Sequence, residues 1–169
     1  MYFQLFHRVI IFSAMTTLMF ISGSAFAKDL TQRLGVGYSD QWGTDESMPS
    51  VSVRYYPNQQ YGVQASVGVD TQQGANRFGV SAKFIKLVFR EDNMNFYVAA
   101  GGGLISQQEN TTDSGFDAAA VFGGEFFLPG LESLGFNFEA GFGVTSISSE
   151  IRFRTVGDSP LKAGMFFYF

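Results

Sequence analysis

Leu161-Lys162-Ala163-Gly164-Met165-Phe166-Phe167-Tyr168-Phe169 closes the chain, and its alternation decides the fold. Leu161, Ala163, Met165, Phe167 and Phe169 fall on one face. Lys162, Gly164, Phe166 and Tyr168 fall on the other. Successive side chains of a strand point to opposite faces, so a period of two predicts a strand rather than a helix.

The same period runs back through most of the chain. Leu30 to Tyr38 sets Leu34, Val36 and Tyr38 against Arg33, Gly35 and Gly37. Pro49 to Tyr56 sets Val51, Val53 and Tyr55 against Ser50, Ser52, Arg54 and Tyr56. Tyr61 to Asp70 sets Val63, Ala65, Val67 and Val69 against Gly62, Gln64, Ser66 and Gly68. Arg77 to about Phe89 sets Phe78, Val80, Ala82 and Phe84 against Gly79, Ser81 and Lys83. Beyond Phe84 both faces turn apolar, which predicts a bulge that shifts the register. Asn95 to Ser106, Phe116 to Phe127, Phe136 to Thr145 and Pro160 to Phe169 continue the pattern. An even count near eight, each strand of about 9–11 residues, predicts an all-β, antiparallel, up-and-down transmembrane barrel.

The connections alternate in length. Pro57–Gln60 and Arg90–Asn93 read as tight turns, and Leu128–Gly135 as a slightly longer one. Ser39–Met48, Thr71–Asn76, Gln107–Gly115 and Ser146–Ser159 read as polar loops. Short turns on the periplasmic side and longer loops outside the cell are the arrangement expected of such barrels. Tyr55, Tyr61, Phe84, Phe96, Phe126, Phe136 and Phe169 gather on one face near the turns. Tyr38, Trp42, Phe78 and Phe116 gather near the loops. Two aromatic belts at the two membrane interfaces are the expectation.

A soluble ligand-binding barrel would turn its apolar face inward and show charge outside. Here the apolar face carries almost no charge, while the opposite face is small and polar. A wall of Val and Phe facing water would not stay soluble. Twenty Phe and twenty Gly with only 15% charged residues suit a wall that is bulky outside and tight inside.

At the N-terminus, Arg8 precedes an apolar run, Val9 to Ile21, and small residues follow up to Ala25-Phe26-Ala27. That is the plan of a cleaved secretory signal. The run is too short for a membrane helix, which needs about 20 residues. Residues 1–27 are therefore read as signal and 28–169 as one barrel domain. Taking Arg8 from the 11 basic residues leaves ten against fifteen acidic, a net charge of −5 that argues against nucleic acid. There is no cysteine, so no disulfide.

The inward charges are Arg33, Arg54, Lys83, Asp117, Glu125, Glu139 and Lys162. Isolated charges in a narrow lumen are costly, so they are expected to pair into a polar plug. Glu125 and Glu139 lie on neighbouring strands and imitate a catalytic carboxylate pair. Their expected role is to serve Arg33, Arg54 or Lys83. The only histidine is His7, within the signal. Ser–His and Cys–His catalysis and His-ligated metal are thereby excluded from the barrel domain, and no enzyme activity and no cofactor are expected. Ala100-Gly101-Gly102-Gly103 lacks the Lys and helix of a phosphate loop; it lets the wall approach interior side chains. Asp40, Asp45, Glu46, Glu109 and Asp113 make acidic loop tips, but their spacing matches no calcium motif. In Ile151-Arg152-Phe153-Arg154 the alternation extends a hairpin above the membrane, with Arg152 and Arg154 as candidate lipopolysaccharide contacts.

With these residues in view, the chain resembles the small outer-membrane β-barrel superfamily, which includes OmpA-like transmembrane domains and porin-family proteins of Gram-negative bacteria. The resemblance rests on Ala25-Phe26-Ala27, the eight alternating segments, the terminal Phe169, and Glu125-Phe126-Phe127-Leu128-Pro129-Gly130-Leu131 followed by Leu134–Gly141. It implies insertion by the barrel assembly machinery, which in that family reads a C-terminal aromatic strand, here Phe167 and Phe169. No peptidoglycan-binding segment follows Phe169, so the anchoring role of full-length OmpA-like proteins is not expected. The expectation is a monomer in the outer membrane, in contact with lipid and lipopolysaccharide. Its role would be structural or adhesin-like, with a narrow channel or transporter for small or lipophilic solutes as the alternative.

Overall fold

The computed structural model describes residues 28–42, 48–72, 75–108, 112–147, 150–155 and 162–169. The signal read over 1–27, and the loop residues Asp45, Glu46 and Glu109, lie outside the described residues. The strands are β1 (Leu34–Asp40), β2 (Pro49–Tyr55), β3 (Tyr61–Gln72), β4 (Ala75–Glu91), β5 (Met94–Gln108), β6 (Thr112–Leu128), β7 (Leu131–Ile147), β8 (Glu150–Thr155) and β9 (Lys162–Tyr168). Each pairs antiparallel with its neighbours. β1 pairs with β9, from Gly35 opposite Tyr168 to Ser39 opposite Gly164, and β6 pairs with β7, so the sheet closes. β8 lies on Phe142–Ile147 of β7 and β9 on Leu134–Glu139 of the same strand. These two segments share one stave, and the barrel has eight.

The β1–β9 and β6–β7 pairings close the wall, and the faces then sort by polarity. Val67, Val98 and Phe142 point outward, 48, 42 and 60% exposed. Ser50, Ser52, Arg54, Gln64, Lys83, Glu125 and Glu139 point inward and are buried. Val51, Val53, Phe78, Phe84, Leu104, Phe116, Phe122, Met165 and Phe167 continue the apolar exterior. Polar inside and apolar outside is the reverse of a water-soluble barrel.

The bulge expected beyond Phe84 is present. The β4–β5 register shifts between Leu87 and Phe89, so Val88 and Phe89 both emerge on the outer face. Other expectations need correcting. Three of the four polar segments read as long loops carry the ladders further than expected: Gln72 pairs with Ala75, Gln108 with Thr112, and Ile147 with Glu150. Polar residues satisfy a ladder above an apolar band as well as apolar ones do, since the backbone makes the bonds. Pro129-Gly130 is a tight turn, with Gly130 at φ 84, where a type II turn requires glycine. Of the other residues assigned to that turn, Leu128 belongs to β6 and those from Leu131 onward to β7.

β1 begins at Leu34 rather than Leu30. Asp29 accepts hydrogen bonds from the Thr31 amide (2.9 Å) and hydroxyl (2.5 Å), which hold its carboxyl below the usual range. Gln32 takes φ 59, and the Gln32 amide donates to the Tyr56 carbonyl at 2.7 Å. This turn tucks Leu30 under the barrel, 2% exposed against the interior cluster that includes Phe127 and Tyr168.

The wall tolerates no side chain where the strands close in. A Cβ on Gly101 would lie 2.2 Å from the Ala82 carbonyl oxygen and 2.6 Å from the Lys83 Cα. Gly101→Val is expected to destabilise the folded barrel by about 1–3 kcal/mol. A urea titration followed by the shift between folded and unfolded bands on an unheated gel measures it; an unchanged midpoint would refute the close approach.

Candidate functional site

The inward faces of β2, β4, β6, β7 and β9 converge on one enclosed charge cluster. Arg54 of β2 lies across the lumen from Glu125 of β6, with Nη1 3.1 Å from Oε1, and its Nη2 lies 3.8 Å from Glu139 of β7. Lys83 of β4 makes an ion pair with the same Glu139. Arg54 and Glu125 are fully buried, and Lys83 and Glu139 nearly so. Charges held this way keep their ionised form only because each has a partner.

Aromatic hydroxyls complete the cluster. Tyr168 donates to Glu125 at 2.5 Å and Tyr56 at 3.2 Å. Tyr97 donates to Glu139 at 2.7 Å. The Arg54 guanidinium also lies over the Phe166 ring, 4.3 Å from its centre, and over Tyr97 at 5.5 Å. Desolvated cation–π contacts of this kind are worth roughly 2 kcal/mol. Strand alternation places Tyr56 and Tyr97 inward, but the sequence gives no sign that their hydroxyls meet the carboxylates. That depends on which strands face each other across the lumen.

Above the cluster runs a chain of small polar groups. Gln64 accepts from Arg54 Nε (2.9 Å) and Nη2 (2.6 Å), and its amide donates to Ser39 (2.9 Å) and Ser66 (3.1 Å). Ser52 bonds Ser39 at 2.7 Å and Ser66 at 2.8 Å. Ser39, Trp42, Gln64, Ser66, Ser81 and Lys83 line a small polar chamber of about 10 Å³, near the smallest volume, about 10–15 Å³, that admits one water.

Trp42 stands as a correction. It was expected in the outer aromatic belt, and it is instead 6% exposed inside the barrel. Its indole Nε1 donates to Glu139 at 3.0 Å, and Lys83 Nζ sits 4.8 Å from its ring centre. An indole N–H needs an acceptor when buried, and Glu139 is the one within reach. Gln41 and Met48, on either side of the β1–β2 loop, are buried with it. Together they cap the lumen from the loop side, as Leu30 does from the turn side.

The remaining sequence-predicted residues separate from this hub. Arg33 does not enter it: it precedes β1 and is half-buried. Asp117 is buried nearer the loops against Gly103, where a Cβ would come 2.7 Å from Oδ1. Lys162 is buried on β9 in register with Glu139. β8 does form the hairpin expected of Ile151–Arg154, but it turns Ile151 and Phe153 outward. Arg154 therefore lies on the inner face, donating to the Trp42 carbonyl and the Thr145 hydroxyl, both at 3.4 Å, rather than presenting its guanidinium to headgroups. Arg152 shares that face and is exposed.

No family model matches the chain, and no curated protein sequence matches it. Among solved structures, the chain is similar to the N-terminal β-barrel domain of Pseudomonas aeruginosa OprF. The identity is 12% and the TM-score 0.58, over 82% of this chain and 98% of that one. The likeness is one of fold: a closed antiparallel β-barrel of eight strands.

Two outcomes follow from the hub. Glu139→Leu strands Lys83 and leaves Arg54 with a single carboxylate. It is expected to cost about 3–5 kcal/mol, as breaking a buried pair does, read as a lower urea midpoint in detergent or bilayer. Trp42 is the only tryptophan. Its fluorescence should resist both aqueous acrylamide and lipids brominated on their tails, and strong quenching by the brominated lipids would return it to the belt.

Proposed function

We propose that the protein is a non-enzymatic, integral outer-membrane barrel whose role is structural or adhesin-like, exercised through its extracellular loops. The observation that carries this reading is the apolar exterior of a closed barrel. So large an apolar surface marks a membrane or partner contact, and a bilayer admits strands only when every backbone group is satisfied by closure. The likeness to the OprF barrel domain supports the same reading. The protein would sit in lipid as a monomer, inserted by the assembly machinery through Phe167 and Phe169. Exposed Arg152 is the better placed of the two arginines to meet lipopolysaccharide phosphates.

The absence of catalysis is supported by the hub itself. Glu125 and Glu139, the carboxylate pair of the hub, are consumed by Arg54, Lys83 and three tyrosine hydroxyls. A carboxylate so engaged is a poor general base. The serine-lined chamber above the hub favours a second reading, a narrow channel for small solutes. The buried caps at both ends favour the first. Planar-bilayer recordings separate them. The expected result is a flat baseline from purified protein; stepwise openings would favour the channel. Lipid A of unchanged mass in cells with and without the protein is the matching expectation for catalysis.

The membrane reading has its own test. Val67→Arg is expected to cost about 2–4 kcal/mol in a bilayer if Val67 lies near mid-depth, while Thr71→Arg, on the same face beside the loops, should cost about 0–1 kcal/mol. Equal costs for the two variants would count against a lipid-facing wall.

A further inference from the structure

The outer wall has an open hollow across β2 to β5. Val53, Tyr55, Val63 and Phe84 stand around a floor of Ala65, Ala82 and Ala100, leaving an open depression of about 490 Å³. The registers create it: Ala65 lies between Val53 and Ala82, and Phe84 between Val63 and Ala100. Its size falls in the range of small-molecule clefts, about 300–1,000 Å³.

A cation stands at its turn-side end. Strand alternation sends Lys86 outward with Ala82 and Phe84, and it is exposed. It lies two residues, about 7 Å, beyond Phe84 along the strand. Its neighbours across the ladders are Tyr61 and Val98, neither of them anionic. Tyr61 is the first residue of β3 after the β2–β3 turn, and its ring packs on Phe84 with centres 5.3 Å apart. Lys86 is thus at the depth where headgroups meet a barrel on its turn side. Among the described outward positions of β1 to β7 and β9 it is the one Lys or Arg.

We propose that this hollow and Lys86 together hold one anionic glycerophospholipid of the turn-side leaflet, its phosphate on the Lys86 ammonium and one acyl chain over Ala82 and Ala65. Charge selects the headgroup: an outward ammonium at the edge of hydrocarbon is relieved by a phosphate. Shape selects the chain, because the alanine floor lets it lie below the flanking Val53, Tyr55 and Phe84 side chains. A symmetric second copy fits less well, since two-fold pairing across this face brings a second Lys86 toward the first. The inference rests on the membrane reading above.

The test is native mass spectrometry of the protein released from vesicles of phosphatidylcholine carrying a minor fraction of phosphatidylglycerol. Insertion, scored by heat-modifiable migration, is checked first; failure to insert would sink the membrane reading itself. In inserted protein, one phosphatidylglycerol should remain bound in preference to phosphatidylcholine. Lys86→Gln should lower that preference about fivefold, the worth of one cation at a lipid surface. Ala82→Phe should remove bound lipid of both kinds. Both substitutions face outward, and both variants should keep wild-type migration. Lipid retention equal in the wild type and both variants would overturn the proposal. So would a dimer that Ala82→Phe abolishes without any retained lipid, which would give the hollow to a second copy.

Discussion

Everything in this barrel is arranged around a guanidinium with no water to dissolve in. Arg54 is fully buried in the lumen, between carboxylates from β6 and β7 and above the ring of Phe166. An unpaired charge there would cost several kcal/mol, so the strands that bring Glu125 and Glu139 to it have little freedom of position. Because β2 faces β6 and β7 across the interior, these ion pairs act as spokes between opposite walls. Lys83 adds a second spoke from β4 to Glu139. The hydrogen-bonded ladders hold each strand to its neighbour. The hub holds each wall to the one opposite.

The hub also explains the first loop. Glu139 accepts from Lys83, Tyr97 and Trp42 and pairs with Arg54, so Trp42 folds inward to an acceptor that is already in place. Its ring then covers the Lys83 ammonium. Trp42 thereby joins the interior, and Gln41 and Met48 are buried with it. Leu30 does the same from below through apolar packing. Both ends of the lumen are therefore filled by segments outside the strands, and the caps depend on partners the strands supply.

What the sequence made legible follows from the range of the forces involved. A period of two is a local property, so the assignment of Val51, Val53 and Tyr55 outward and Ser52, Arg54 and Tyr56 inward could be read from the chain alone. The bulge near Leu87 was legible for the same reason: two apolar faces in succession cannot both face outward without a slip in register. Partnership across the lumen is not local. Nothing near Trp42 announces Glu139, 97 positions away, and its place in the aromatic belt was inferred from its neighbours in sequence. Arg33 failed in the opposite sense. Alternation assigned it inward, but the Asp29–Thr31 turn ended the strand before it. The hairpin extensions were hidden because polarity suggests a loop, while a ladder above the apolar band asks only for backbone hydrogen bonds.

These constraints divide the molecule by how freely its residues can change. Inward positions answer to the hub or to close wall contacts, as Gly101 and Gly103 do, and any substitution there meets backbone or charge. Outward positions answer only to being apolar and to fitting the pleat. An Ala and a Phe serve equally for solubility in hydrocarbon, so a run such as Ala65, Ala82 and Ala100 beside Phe84 is not demanded by the fold. The same holds for Lys86, which no ladder requires. Features that stability does not ask for, on a surface free to vary, are where specific contact is to be sought. In this barrel the alanine floor and Lys86 are such features on the wall, while the lumen holds the walls together.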